Sequence, residues 1–341
     1  MIIKRVKITN FRSHEGFELK CWKPTTMISG ENGSGKTSIL EAIYEAARGK
    51  SFRAVDREIL RRGAEFYRVE MEYVDGEQIV VVYEKDGKKS FLTGDKKTAR
   101  LPKKYKYPIV LFEPDDLNLV SASPAHKREY FDRYFSQLAE TYGTSLSRYT
   151  KALKQRNELL KKDNLGRDEL FSWNVMLAKL GTEIWKWRRE YVAKINERLT
   201  EVYQSIAENE DKVELRVISD LWREDESLYL KELEERFERD RILGHTTFGI
   251  HRDNYEFWFN DSLAEGSASR GEVRSIVIAL KFIEAAEILA TTGKKPVVLL
   301  DDVFSELDET RQKALVKNFK QNQVIITSVN AVEDSPIDVE V

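Results

Sequence analysis

The sequence is poor in several residue types, and each scarcity excludes a class of protein. It has one cysteine, Cys21, which rules out an intramolecular disulfide and a cysteine-rich zinc site. No apolar run approaches the roughly 18 residues that a membrane helix needs. The charged N-terminus, MIIKRVKITNFRSH, is unlike a signal peptide. We therefore expect a cytoplasmic protein without a membrane partner.

The charges are nearly balanced, so the net charge of the chain does not indicate nucleic-acid binding. The net charge is −2 at pH 7, and a basic surface would have to be a local patch. The clearest candidate is the segment 88–106, KKSFLTGDKKTARLPKKYK, in which lysine and arginine far outnumber aspartate. Two interpretations stay open: a solvated hairpin edge protected by lysines, or a contact with the phosphate backbone of DNA.

The order of the periodic segments indicates a split domain. The 341 residues allow two or three structural units. Strands and a helix are predicted up to about residue 122, long helical periodicity follows, and mixed α/β character returns from about residue 242. The pattern predicts an α/β fold, with a head formed by residues 1–122 and 242–341. The helical lobe, residues 123–241, is predicted to be an αα-hairpin insertion.

The segment GENGSGKT matches the phosphate-loop pattern G-x-x-x-x-G-K-[ST] at every fixed position. It follows the predicted strand TTMIS and opens a predicted helix over residues 36–48, which is the setting that the pattern requires. Backbone N–H groups of such a loop bind the β-phosphate of ATP. Lys36 is predicted to act on the β- and γ-phosphates, and Thr37 to ligate Mg²⁺. The predicted nucleotide-binding residues here are Gly30, Glu31, Asn32, Gly33, Ser34, Gly35, Lys36 and Thr37.

Two adjacent carboxylates end the apolar run VVLLDD. We expect this strand to lie parallel to TTMIS and beside it, so that both end at the same edge of the sheet. Asp301 would then face the Mg²⁺, and Asp302 would act as the catalytic base that polarises the attacking water. The alternative, an acidic helix cap, explains one aspartate but not the pair together with a phosphate loop.

A third element stands shortly before the acidic pair. Lys36 and Asp301 lie near opposite ends of the chain, and this wide separation favours an ABC-type head over a GTPase or a helicase. In ABC-type proteins an LSGGQ signature opens a helix before the acidic strand, and ASRGE occupies that place here. Ser269 and Gly271 would present a hydroxyl and an unhindered helix N-terminus to the γ-phosphate held by a second copy. Alternatively, S-x-G-E is an ordinary helix cap.

With these motifs the chain resembles the bacterial RecF family over essentially its whole length. The resemblance rests on the phosphate loop and on the acidic strand LLDDVFSELD. It also rests on the N-F-R element at Asn10, Phe11 and Arg12, and on three further segments: GKSFR at 49–53, VLFEPDDLNLVSASPAHKREYFD at 110–132 and GIHRDN at 249–254.

The resemblance implies an ABC-type P-loop ATPase head with a helical insertion lobe. It also implies ATP and Mg²⁺ as cofactors, an ATP-dependent homodimer and slow ATP hydrolysis. The expected partners are double- and single-stranded DNA, especially gapped DNA with single-strand–double-strand junctions, together with RecO and RecR in loading recombinase. Arg12 is a candidate contact to the nucleotide.

The chain departs from the family pattern at several positions. Arg270 replaces the usual Gln or Gly of the signature, and Asn254 replaces a second Asp. Where ABC proteins often carry a switch histidine, the segment ITSVN offers Thr327 and Ser328. These departures bear on how the γ-phosphate is sensed. His251 and Arg252 are either structural residues or part of a site.

Three other classes of protein fit the sequence less well. An SMC-like ATPase with a structural tethering role needs much longer heptad arms than this insertion supplies. A nuclease-fused ATPase needs an acidic nuclease domain after the head. A transporter ATPase subunit usually has a signature closer to LSGGQ. The SMC-like tether is the main alternative to a RecF-type ATPase.

Overall fold

The computed structural model describes residues 2–162, 165–221, 223–329 and 338–340. The chain divides into two compact units. The first, called the head unit, comprises Met1–Leu117 and Glu284–Val341; the second, called the middle unit, comprises Asn118–Ile283. Val341, the last residue of the predicted head, lies outside the described residues.

The head unit contains an antiparallel sheet of six strands in the order β2-β1-β4-β5-β6-β7. Its strands alternate buried and exposed residues, as in Phe66–Tyr73, because one face packs against the core and the other meets solvent. The strands are β1 (Ile3–Phe11), β2 (His14–Lys20), β4 (Phe66–Tyr73), β5 (Gln78–Glu84), β6 (Lys89–Thr93) and β7 (Lys96–Thr98).

A second sheet of the head unit is parallel, with the order β14-β3-β13-β12-β8. Strands β8, β12 and β13 of this sheet are buried along their whole length, which is why they are largely apolar and show no alternation. The strands are β3 (Thr25–Ser29), β8 (Ile109–Phe112), β12 (Val297–Leu300), β13 (Val324–Ser328) and β14 (Asp338–Glu340).

This order corrects one expectation. Strand β12, which carries the acidic pair, does not neighbour β3, because β13 pairs with both and separates them. The strands are nevertheless parallel, so β3, β13 and β12 all end at one edge of the sheet. The sequence pattern could not exclude an intervening strand, because hydrophobic runs carry no information about which strand pairs with which.

Helix α1 (Lys36–Arg48) packs against strands of both sheets. Ile39, Leu40 and Ile43 are fully buried. The burial of each such side chain contributes about 2 kcal/mol to folding. The described part of this unit also contains the short helix α2 (Asp56–Ile59) and helix α10 (Glu309–Asn318). Helix α10 follows a turn of 3₁₀ helix over Val303–Glu306, and Asp308 caps its start.

The middle unit is mainly helical. Its long elements are α3 (Pro124–Leu138), α4 (Glu140–Leu160) and α5 (Asp168–Ala207), and α4 packs along α5. The shorter helices are α6 (Glu226–Glu235), α7 (Phe237–Leu243) and α8 (Ala264–Ser267). Helix α9 (Arg270–Thr292) begins in this unit and continues into the head unit.

The segment interpreted as purely helical also contains a strand. Strand β9 (Val213–Ile218) pairs with β10 (Asn254–Phe259), and β11 (Ser262–Leu263) pairs with the other side of β10. The strand that pairs with β9 comes more than thirty residues later in the chain. No hairpin turn therefore marked β9 as a strand in the sequence. No helix in the described ranges is both long and apolar enough to cross a membrane.

Candidate nucleotide-binding site

The loop between β3 and α1 requires glycine. Strand β3 ends at Ser29 and α1 begins at Lys36. Gly35, the residue before the helix, has a φ of 102°. A Cβ at this position would also collide with the ring of His14 and the hydroxyl of Ser13. The loop therefore combines a glycine-dependent backbone with the strand–loop–helix setting of a phosphate loop.

The side chain of Lys36 folds back over this loop. It is 4% exposed, and its Nζ donates hydrogen bonds to the carbonyl oxygens of Gly30 and Glu31 at 2.8 and 3.0 Å. These contacts hold the ammonium group at the loop backbone. A phosphate bound by the loop would exchange carbonyl partners for charged oxygens, which make stronger hydrogen bonds with a cation.

Asp301 lies between two hydroxyl groups. Its Oδ1 accepts a hydrogen bond from Thr37 at 2.9 Å and another from Thr327 at 2.9 Å. Burial raises the pKa of Asp301, the two hydroxyls act in the opposite direction, and the charge of Asp302 adds to the rise. Thr327, near the end of β13, and Thr37, in the phosphate-loop helix, thus share one carboxylate oxygen of Asp301.

Asp302 has a strained backbone and an unused carboxylate oxygen. Its φ is 50°, a left-handed conformation that is uncommon for a residue with a Cβ. Its N–H donates to the hydroxyl of Thr327 at 2.9 Å. Oδ1 of Asp302 is buried and has no hydrogen-bond partner within the described ranges. A buried oxygen of this kind is costly unless a ligand or water satisfies it.

A cavity of about 530 Å³ in the head unit lies beside the phosphate loop. Lys36, Thr37 and Asp302 lie on its wall. Three arginines, Arg12, Arg53 and Arg62, line it as well. Cations therefore predominate around the phosphate loop, as expected for a pocket that receives a polyphosphate.

A buried carboxylate holds two of these arginines. Glu41 on α1 is fully buried and accepts hydrogen bonds from Arg12 at 2.9 and 2.8 Å. It also accepts from Ser51 at 2.6 Å and Arg53 at 3.0 Å. Burial alone would raise the pKa of Glu41, but the hydrogen bonds from Arg12, Ser51 and Arg53 outweigh it and lower the pKa. The guanidinium groups are therefore fixed at the cavity before any nucleotide binds.

The predicted site residues of the head unit lie in one place. Arg12, Asn32, Gly33, Gly35, Lys36, Thr37 and Asp302 line the cavity. Gly30, Glu31 and Ser34 belong to the same loop, and Asp301 is bonded to Thr37. Sequence reasoning missed Glu41 and Arg53, and it noted Thr327 only as one of two residues in the place of a switch histidine. The GKSFR segment was a signal for Arg53, whereas nothing in the sequence pattern marked Glu41 or the contact of Thr327 with Asp301.

The remaining predicted residues, Ser269 and Gly271, belong to the middle unit. The N–H of Ser269 donates to Glu272 Oε2 at 2.6 Å, and the N–H of Glu272 donates to Ser269 Oγ at 3.3 Å. This reciprocal pair is a capping box at the start of α9. Ser269 is exposed, so the cap leaves it open to solvent. In the single chain, Ser269 therefore acts as a helix cap, and its contact with a nucleotide on a second copy stays a prediction.

The fold and this site define an ABC-type P-loop ATPase head. The model of the RecF/RecN/SMC N-terminal domain family matches residues 2–335. Structures of Smc head domains share the fold at lower similarity: the head bound to the C-terminal winged-helix domain of ScpA has a TM-score of 0.52 and 15% identity.

Within that class the similarity is to RecF. The DNA replication and repair protein RecF of Ruminiclostridium cellulolyticum is 34% identical, covering 97% of this chain and 93% of the relative. RecF of Clostridium perfringens (strain SM101 / Type A) is 32% identical, covering 98% and 94%. A solved structure of the recombination mediator RecF with ATP, described as part of the RecFOR pathway, has a TM-score of 0.85 and 27% identity, covering 98% and 93%. This chain therefore belongs to the RecF family.

Proposed function

We propose that this chain is an ATP-binding recombination mediator that dimerises on DNA and hydrolyses ATP slowly. One observation carries the proposal. Lys36, Thr37 and Asp302 line one cavity together with three arginines, and Thr37 is hydrogen-bonded to Asp301. The solved structure of a RecF with ATP supports the ATP-binding part of the proposal.

The residues fit a nucleotide and its metal ion. The loop Gly30–Thr37 would bind the phosphates, and Thr37 with Asp301 would hold Mg²⁺. No group of three or more His, Cys, Asp or Glu side chains in the described part of the chain could bind a metal by itself. A magnesium ion here would therefore complete its shell with phosphate oxygens and water, as it does in many ATPases. The bound ion supplies charge neutralisation for the phosphates.

The chain's own groups suit the hydrolysis of ATP. Asp302 carries the unpartnered oxygen, so it can accept a proton from a water molecule near the phosphate loop. Its position is set by the strained backbone and by Thr327. Arg12 and Arg53 are held by Glu41 and would place positive charge beside the phosphates.

The dimer and the partners rest on the family. Ser269 and Gly271 would meet the γ-phosphate held by a second copy, so ATP would join two subunits. Double- and single-stranded DNA, including gapped DNA, would be bound by this dimer in the cytoplasm. RecR and RecO are the protein partners expected from the RecFOR pathway named for the solved relative.

Measurement of the molecular mass in solution with ATP tests the proposal. Asp302→Asn removes the proton acceptor and slows hydrolysis about 10² to 10⁴-fold, so it should accumulate as a dimer with ATP. Ser269→Arg blocks the signature and should bind ATP as a monomer. Lys36→Met should neither bind ATP nor dimerise.

The controls separate these effects from misfolding. Ser262→Arg places the same bulk on the exposed strand β11 and should dimerise like the parent. A dimer of Ser269→Arg, or a monomer of Asp302→Asn in saturating ATP, would show that the interface does not involve these residues. Parent-like ATP turnover by Lys36→Met would remove the phosphate-loop assignment itself.

A further inference from the structure

A second polar cavity lies within the middle unit. It has a volume of about 330 Å³ and is remote in sequence from the phosphate loop. Three of its lining residues are arginines, whereas Asp220 is its one acidic lining residue in the part of the chain that the structure describes. We call it the arginine cavity; its polar lining includes Ser219, Asp220, Arg236, Arg239, Arg252 and Asn254.

Arg252 is held on a rigid turn. The residue before it, His251, is bonded through Nδ1 to the Tyr149 hydroxyl at 2.9 Å and through Nε2 to the Thr246 carbonyl at 3.1 Å. The residue after it, Asp253, is buried and accepts a hydrogen bond from Arg188 at 2.7 Å. Both neighbours are thus fixed by buried contacts, while Arg252 itself is exposed. A side chain presented by such a turn loses little backbone freedom on binding.

Two of the three guanidinium groups have no partner among the residues that the structure describes. Arg236 is paired with Glu232 at 3.1 Å and lies over the ring of Phe248 at 4.8 Å. For Arg239 and Arg252, by contrast, no ion pair or hydrogen bond of the guanidinium group exists among the described residues. Like charges that face one cavity without compensation repel each other, so an anion would relieve the repulsion.

The cavity also contains an unsatisfied polar atom. Oδ1 of Asn254 is buried and has no hydrogen-bond partner in the described ranges. The side chain stands at the start of β10, immediately after the fixed Asp253. An amide offers an oxygen or an NH₂ group to a ligand, since the two orientations have the same shape. A ligand that both donates and accepts hydrogen bonds, such as hydrated phosphate, satisfies either orientation.

From this geometry we propose that the arginine cavity binds a phosphate group, and that the phosphate belongs to a nucleic-acid strand. Arginine matches phosphate through two parallel N–H donors, and Arg239 and Arg252 both have these donors unused. A carboxylate ligand fits less well, because Asp220 already supplies one to Arg236 at 3.7 Å. The choice of a nucleic-acid strand as the source rests on the proposed function, whereas the binding of a phosphate group is inferred from the cavity alone. Free phosphate is the other source of the same group.

The experiment compares a double variant, Arg239→Gln with Arg252→Gln, with the matched control Arg198→Gln. Arg198 is exposed on α5 in the same unit and has no ion pair in the described ranges. One arm measures the affinity for a fluorescent duplex with a single-stranded overhang over a series of salt concentrations. The other arm measures the melting temperature with and without inorganic phosphate in full-length protein.

We expect the double variant to bind the duplex about tenfold more weakly than the parent, with a flatter salt dependence. Each lost phosphate contact lowers the slope of log affinity against log salt by about 0.9. The control variant should lose less than half as much affinity for the duplex as the double variant does. Inorganic phosphate should raise the melting temperature of the double variant less than that of the parent. Any phosphate binding at the intact phosphate loop is common to both proteins and cancels.

The two arms separate the sources and the proposals. A difference only with inorganic phosphate keeps the phosphate site and overturns the nucleic-acid source. Parent-like behaviour of the double variant in both arms overturns the arginine cavity as a phosphate site. A parent protein that does not bind the duplex at all contradicts the proposed function, and the phosphate arm still tests the cavity.

Discussion

The hydroxyl of Thr37 donates a hydrogen bond to Oδ1 of Asp301 over 2.9 Å. Thr37 belongs to helix α1, which follows β3, and Asp301 directly follows β12. Strand β13 separates β3 from β12 in the sheet. Their contact places a hydroxyl and a carboxylate side by side, which is the ligand pair that a magnesium site of an ATPase uses. The contact leads to the first prediction.

Thr37→Val should weaken ATP binding only when magnesium is present. The substitution keeps the shape but removes the hydroxyl, so Asp301 loses one hydrogen bond and the metal loses one ligand. Loss of the hydrogen bond should cost about 1 kcal/mol of stability. Titration with a fluorescent ATP analogue, in magnesium and in EDTA, measures the effect. Thr37→Ser keeps the hydroxyl and should behave like the parent; equal loss of affinity in both buffers would contradict the metal role.

Glu41→Gln should loosen the nucleotide cavity. The buried carboxylate compensates Arg12 and Arg53, and its replacement by an amide leaves two cations with weaker partners. Because both arginines are partly exposed, we expect a loss of about 2 kcal/mol rather than the full cost of breaking a buried pair. Chemical denaturation measures it. Glu58→Gln is the control at the same cavity, because no ion pair of Glu58 is found among the described residues; equal stability of both variants would show that the network contributes little.

The lysines of the basic segment 88–106 should differ in role, some binding DNA and others stabilising the fold. Lys96 and Lys97 lie exposed on β7, the edge strand of its sheet. Lys89 is 14% exposed and bridges Glu45 at 2.7 Å and Asp56 at 2.5 Å. We expect Lys96→Ala with Lys97→Ala to weaken DNA binding and flatten its salt dependence without changing stability. Lys89→Ala should lower the melting temperature. Unchanged DNA affinity in the first variant would leave the segment as a solvated edge.

His251 should make stability depend on pH. Burial lowers its pKa from 6.5 to about 4, and the positive charges of Arg252 and Arg128 act in the same direction. The unfolded chain therefore binds a proton near pH 6.5 that the folded chain does not bind until about pH 4. Stability is greatest above pH 6.5 and falls as the pH drops towards 4, by up to about 3 kcal/mol from this residue.

The measurement for this prediction is the free energy of unfolding of the parent and of His251→Gln at several pH values. Glutamine retains an amide donor and acceptor but does not titrate in this range. The variant should be less stable than the parent at pH 7, and the difference should shrink towards pH 4.5. A difference that stays constant over this range would mean that His251 titrates normally in the folded chain.

Several features of this protein were readable from the sequence because local chemistry determines them. The phosphate loop needs glycine, lysine and threonine at fixed spacings, and helix α1 follows from Lys36 as predicted. The apolar run of β12 was recognisable since a strand buried on both faces favours apolar residues, and β3 was recognisable from the phosphate loop that follows it. The adjacent carboxylates after β12 stood out because like charges rarely follow a buried strand without a ligand.

Other features were decided only by the tertiary structure. Strand β13 lies between β3 and β12, and its Thr327 therefore reaches Asp301. Glu41 looks like any polar residue of a helix, yet it becomes the common partner of Arg12 and Arg53. Strand β9 needed β10 to exist as a strand. In each case the determining contact joins residues far apart in the chain, and such contacts depend on which surfaces pack together rather than on the periodicity of any one segment.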